Sequence, residues 1–165
     1  MIGGDRHNLG GRLKGLHFDV VADITAYDAA DRKFYLPRNG EMKLQFLHVK
    51  DLCGIMEALI ETKPADKIMN VGNAETVSIK DWVTKCYACF RKTPVFVNVT
   101  KEIGQGNYFS FHDYEYCLDI QKQQKIYPHT IALEEGLKEA AQWYAAHETE
   151  VNKKPYFKYI DENLA

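Results

Sequence analysis

The chain has 165 residues, 45% hydrophobic and 12% aromatic, with 27% charged residues and a net charge of −2. This length suits one domain, and the charged fraction argues against global disorder. No apolar run approaches the ~20 residues that span a bilayer, no charged-then-apolar leader opens the chain, and no strongly basic field advertises nucleic acid. The expectation is a soluble, cytoplasmic, globular protein.

In chain order, Leu9, Leu13 and Leu16 recur at helical spacing, weakened by Gly10, Gly11 and Gly15. Phe18 to Ile24 is apolar and β-branched between polar flanks, the pattern of a buried parallel strand. A small, polar stretch from Tyr27 to Arg32 follows. Phe34 to Val49 is read as a hairpin, with Asn39-Gly40 as its turn. Asp51 is expected to cap a helix over Asp51–Thr62, with Leu52, Ile55, Met56, Leu59 and Ile60 as one stripe and Pro64 beyond its end. Lys67 to Val71 reads as a strand ending at Gly72-Asn73.

Ser78 is expected to cap a second helix, Ser78–Lys92, with Ile79, Trp82, Val83, Cys86, Tyr87 and Phe90 inward. Pro94 to Val99 reads as a strand, with proline at its start, where a missing N–H does least harm. Residues 104–127 are irregular and rich in tyrosine. Thr130 is expected to cap a last helix, Thr130–His147, with Leu133, Leu137, Ala140, Ala141 and Tyr144 on one face. The tail from Lys153 is expected to drape over the surface.

The four cysteines are Cys53, Cys86, Cys89 and Cys117. Cys86 and Cys89 form a C-x-x-C pair, but no second pair matches it at the spacing of a zinc site. The pair also lies within a helical pattern, not at a helix start where a thiolate is stabilised. Ordinary buried or half-buried cysteines are the simpler reading.

Three segments occur in a distinctive order: Phe46-Leu47-His48-Val49-Lys50-Asp51-Leu52, Ile68-Met69-Asn70-Val71-Gly72, and Ser78-Ile79-Lys80-Asp81-Trp82. Together they resemble the C-terminal part of the NAD-dependent epimerase/dehydratase family, the extended short-chain dehydrogenases/reductases. Leu118-Asp119-Ile120-Gln121-Lys122 and Leu133-Glu134-Glu135-Gly136-Leu137 are similar to later features of that family. Gly4-Asp5-Arg6, with Phe18 to Asp23 and Ala26-Tyr27, resembles the end of its nucleotide-binding lobe.

The resemblance implies an α/β fold: a truncated, doubly wound Rossmann-like sheet remnant (residues 1–33) joined to a substrate-lobe-like α/β region (34–150) and a tail (151–165). It implies NAD or NADP as the family's cofactor, with Ala26 and Tyr27 as candidate cofactor contacts. His48 and Asn70 become candidate contacts to a small-molecule or nucleotide-sugar ligand. The same residues have plainer readings: His48 as a satisfied structural histidine, Asp51 as a cap, Asn70 and Gly72 as a strand end, and Tyr27 as a rim aromatic.

Two departures from the family weigh against independent catalysis. The family's Tyr-x-x-x-Lys pair supplies a phenol whose pKa the lysine lowers, so that it can act as acid and base. No tyrosine here has a lysine four residues on; Tyr27, Tyr87 and Tyr144 meet Asp31, Arg91 and Glu148. About six residues separate Tyr27 from Phe34, where a crossover needs a dozen or more. The family's glycine loop, which cradles the pyrophosphate at a helix start, is also missing from the sequence. Leu44 stands where sugar-nucleotide epimerases of the family place an arginine against substrate pyrophosphate.

The expectation is therefore an internally deleted, N-terminally shortened relative. Such a sheet would expose a strand edge at Phe18–Ile24, predicting either a homodimer through that edge or marginal stability. Two other readings stand beside this one. One is a binding module, since the chloroplast stem-loop-binding proteins of the superfamily associate with RNA and Tyr108 to Tyr116 is aromatic; the acidic net charge disfavours nucleic acid. The other is a gene fragment with no selected activity.

Overall fold

A computed structural model of the chain describes residues 32–66, 68–100, 115, 117–150 and 156–164. The expected Phe18–Ile24 strand, Ala26 and Tyr27, the aromatic stretch 108–114 with Tyr116, and Lys153 to Pro155 lie outside the described residues. The architecture is mixed α/β with two small sheets. In the first sheet, β1 (Lys33–Pro37) runs parallel to β4 (Val95–Val99), with Phe34 opposite Phe96. Those two rings meet edge-on at 6.2 Å, a favourable quadrupole arrangement. In the second, β2 (Lys43–Gln45) runs antiparallel to β3 (Thr76–Ser78).

The expected Phe34–Val49 hairpin is thus corrected. Asn39-Gly40 does make a turn, with positive φ at Arg38, Asn39 and Gly40. Its two flanking strands then leave for different sheets. Asn98 of β4 draws the turn away from β2 by accepting the Asn39 N–H at 2.9 Å. The local dipeptide specifies the reversal, and distant partners decide the pairing.

Helix α1 spans Val49–Thr62 and α2 spans Ile79–Ala88. Ser78 caps α2 as expected: its Oγ accepts the Asp81 N–H at 3.0 Å and donates to the Asp81 carboxylate at 2.7 Å. The inward face of α2 is realised, with Ile79, Trp82, Val83, Cys86 and Tyr87 buried and Phe90 half-buried. The helix ends at Ala88, short of Lys92, where Arg91 turns to positive φ and the Lys92 N–H returns to the Tyr87 carbonyl.

Residues 68–75 are not a strand, contrary to expectation. Their polar groups bond to side chains and backbone carbonyls of 119–131, and to Gln45, instead of to a neighbouring ladder. A single helical turn, α3 (Gln121–Gln124), lies in that partner segment.

Helix α4 spans Leu133–Ala146 and buries Leu133, Gly136, Leu137 and Ala141. Thr130 does not cap it. The N-cap is Ala132, with no side-chain bond, and Glu134 and Glu135 in the first turn complement the helix's positive end instead. Residues 156–163 form a further helix, α5 (Tyr156–Asn163), which corrects the expectation of a draped tail. Ile160 of α5 is buried in the main core cluster with Leu36, Leu44, Val77, Ile79, Trp82, Val83, Tyr87 and Leu137. Asp161 of α5 pairs with Arg32, whose guanidinium also lies over Phe157.

Candidate functional site

The segment Phe46-Leu47-His48 crosses the start of α4. There Phe46, Leu47, His48, Ile131, Ala132, Leu133, Gly136 and Leu137 line a shallow depression, with room for little more than a water molecule, that opens to solvent. Its floor is apolar, and Phe46 stacks on Trp82 at 4.9 Å. His48 is its one titratable lining group.

His48 is the N-cap of α1, the place expected for Asp51. Its Nδ1 accepts the Lys50 N–H at 3.2 Å, which leaves Nε2 as the protonated nitrogen of the neutral ring. Nε2 faces the Glu139 carboxylate at 3.8 Å, and Glu139 pairs with Lys50 at 2.6 Å. The ring packs against Gly136, where a Cβ would come within 3.0 Å of His48 Cδ2, so glycine lets α4 approach the imidazole. Burial lowers the His48 pKa, and the attraction of Glu139 and Asp51 only partly offsets it. The Lys50 ammonium holds Glu139 below the usual carboxylate range.

Asp51 is the third residue of α1 and only 1% exposed. Its carboxylate accepts the Tyr127 hydroxyl at 3.2 Å and the Ile131 N–H at 2.9 Å. It therefore ties α1 to the approach to α4, and does not cap its own helix. The Tyr127 ring lies across Gly54, and a Cβ there would fall 2.7 Å from it. Burial, and then the Asp51 carboxylate, raise the Tyr127 pKa.

A set of side-chain amides joins 68–75 to 117–131. Gln123 is fully buried; its Oε1 accepts the Gly72 N–H at 2.8 Å and its amide donates to the Gly72 carbonyl at 3.0 Å. Gln45 donates to the carbonyls of Asn73 and Leu118 and accepts the Leu118 N–H. Asn73 donates to the Ile131 carbonyl and accepts the Glu75 N–H. Asn70 is exposed, and its amide donates to the Asp119 carbonyl at 3.1 Å.

The two candidate ligand contacts therefore engage different segments: His48 meets α4, and Asn70 meets the irregular stretch before α3. Each has a structural task that its side chain already performs. Leu44 is buried in the core. Gln45, Gln123, Tyr127 and Glu139 were not singled out in the sequence. Gln123 sits in a run of glutamines and lysines that reads as a solvated face, so no local pattern marks it. Among the described residues, Cys86 is buried in α2, and Cys89 ends that helix with its thiol on the Lys85 carbonyl and its pKa raised by burial.

The fold is that of part of the NAD-dependent epimerases and dehydratases. The chain aligns with dTDP-glucose 4,6-dehydratase of Bacillus anthracis in complex with NAD at a TM-score of 0.58 and 20% identity, over 78% of this chain and 40% of that one. UDP-glucuronic acid 4-epimerase of Bacillus cereus in complex with NAD aligns at 0.57 and 17% identity, over 86% and 42%. RMD of Pseudomonas aeruginosa complexed with NADPH aligns at 0.57 and 12% identity, over 78% and 43%. The chain thus spans about two fifths of the length of these enzymes. No family model and no curated protein matches the sequence.

Three of the described helix starts do not suit a dinucleotide's pyrophosphate. Such a group seeks the positive N-terminus of a helix with a glycine-rich approach. Here α1, α2 and α4 each carry an acid in the first turn: Asp51, Asp81, and Glu134 with Glu135. These carboxylates already occupy the favourable field and would repel a phosphate. Among the described residues, no helix is long and apolar enough to cross a membrane.

Proposed function

We propose that the chain is a shortened member of the NAD-dependent epimerase/dehydratase family, carrying a substrate-lobe scaffold without its own proton-transfer pair. One observation carries the assignment: the segments Phe46–Leu52, Ile68–Gly72 and Ser78–Trp82 lie, in order, within a fold shared with those enzymes. The lack of any Tyr-x-x-x-Lys in the 165 residues supports the absence of independent catalysis. The acidic helix starts support weak or no binding of NAD and NADP by the described region. The ligand of this lobe is a small molecule, and burial of Leu44 argues against holding a nucleotide sugar through its pyrophosphate at that position.

Isothermal titration of the full chain with NAD and with NADP is the direct test. No saturable heat is expected with either. Saturable micromolar binding, or turnover of a sugar substrate with either nicotinamide, would overturn the non-catalytic reading. In that event a basic or tyrosyl group outside a Tyr-x-x-x-Lys motif would have to carry the proton.

A further inference from the structure

Helix α1 turns Asp51 and Ile55 inward, yet it carries a second apolar line that nothing among the described residues covers. Val49, Met56 and Ile60 are 49%, 55% and 70% exposed, and Cys53 is exposed with them. Their spacing is four, three and four residues. That is the narrow seam by which one helix packs along another, not the broader stripe that faces a globular core. The seam runs nearly the full length of a 14-residue helix, or about 21 Å at 1.5 Å per residue.

The charges beside the seam select the partner. Lys50 and Glu57 lie on the same flank, one near each end of the line. In an antiparallel pair the equivalent flanks of the two helices meet. A two-fold axis near the middle of α1 sets Val49 against Ile60 of the other copy, and Cys53 against Met56. It also brings each Lys50 beside the Glu57 of the other copy, whereas a parallel pair would leave the two charged flanks on opposite sides of the seam, out of each other's reach. Such a surface is complementary to itself, as a two-fold interface must be. Lys50 already meets Glu139 of its own α4, and an ammonium with three donors can hold both carboxylates.

We propose that the outer face of α1 is a homodimer seam, in which two copies of this chain pair antiparallel through Val49, Cys53, Met56 and Ile60. It is a different surface from the strand edge at Phe18–Ile24. A single helix pair buries less than the roughly 1,000 Å² of a stable interface. The dimer is therefore weak and concentration-dependent.

The experiment is light scattering of the full chain over a concentration series, joined to cross-linking with a short bismaleimide. Mass should climb from 19.0 kDa toward twice that value as concentration rises. Met56→Glu and Ile60→Lys each alter an exposed side chain and should hold the chain at monomer mass with an unchanged circular dichroism spectrum. Glu57→Lys should weaken association several-fold. The cross-linked dimer should vanish in Cys53→Ser and persist in Cys117→Ser. A dimer that survives both Met56→Glu and Ile60→Lys, or cross-links through Cys117, would overturn the proposal. So would monomer mass at every concentration, and shielding of Cys53 from alkylation would then show that the chain's own remaining residues cover the seam.

Discussion

The region around α2 and the junction of residues 68–75 with 117–131 are both held by contacts, but by different physics. Around α2, apolar side chains repeat at helical spacing and are driven out of water together. Ile79, Val83 and Cys86 are 0% exposed and Trp82 is 2% exposed. Where residues 68–75 meet 117–131 there is little regular structure, and buried carboxylate and amide groups replace the missing ladder. Asp51, Gln45, Asn73 and Gln123 bond mainly to backbone groups that would otherwise stand unsatisfied. The first region tolerates conservative apolar exchange, whereas the second depends on particular donors and acceptors.

Removing the largest apolar group of the first region should have the greatest effect. Trp82→Ala should lower the unfolding free energy by about 3–5 kcal/mol, read by urea denaturation. In the second region, Asp51→Ala strands the Tyr127 hydroxyl and the Ile131 N–H, and about 3 kcal/mol should be lost. Gln123→Leu keeps the volume but leaves both backbone groups of Gly72 without their partner, at a cost of about 2 kcal/mol. If Gln123→Leu proved neutral, the contrast between the two regions would fail, because packing alone would then hold both.

The His48 cap offers a smaller, pH-dependent test. His48 has a folded pKa below its ordinary value, so the folded state prefers the neutral ring. That stability is fully present above the ordinary histidine pKa of about 6.5 and is lost as pH falls through the lowered folded value. Protonation would put a hydrogen on Nδ1, where the Lys50 N–H now donates. His48→Asn, which can still accept at the cap, should flatten this part of the stability–pH curve. His48→Ala should cost about 1 kcal/mol at neutral pH. A curve unchanged in His48→Asn would show that other groups set the acid limb.

The smallest effect is expected at Lys85–Glu134, which links α2 to α4 across a partly exposed surface. The bond raises the Lys85 pKa and lowers that of Glu134. Lys85→Ala should nonetheless cost no more than about 1 kcal/mol, and less in high salt, as denaturation at two ionic strengths would show.

Legibility from the sequence follows the same division. Helix α2, its Ser78 cap and its inner face could be read directly, because periodicity and capping are local. Strand β4 and the body of α4 were legible for the same reason. His48 shows where local reasoning stops: Asp51 has the better capping side chain, but burial against Tyr127 and Ile131 turns its carboxylate inward, and the imidazole takes the cap. Asn70 was expected to end a strand, but it lies in an irregular stretch and ties it to Asp119. Ala26 and Tyr27 lie outside the described residues and stay as readings of the resemblance.

The order of the apolar runs, the turn at Asn39-Gly40 and the lack of a tyrosine–lysine pair are properties of neighbouring residues, so the chain's text alone conveys them. Three matters were decided only when distant parts met. Strand β1 chose β4 over β2, Gln123 became a buried clasp on Gly72, and α5 placed Ile160 in the core. Each depends on partners far apart along the chain, and no short-range pattern encodes the free energy of contacts that form only after the chain has closed on itself.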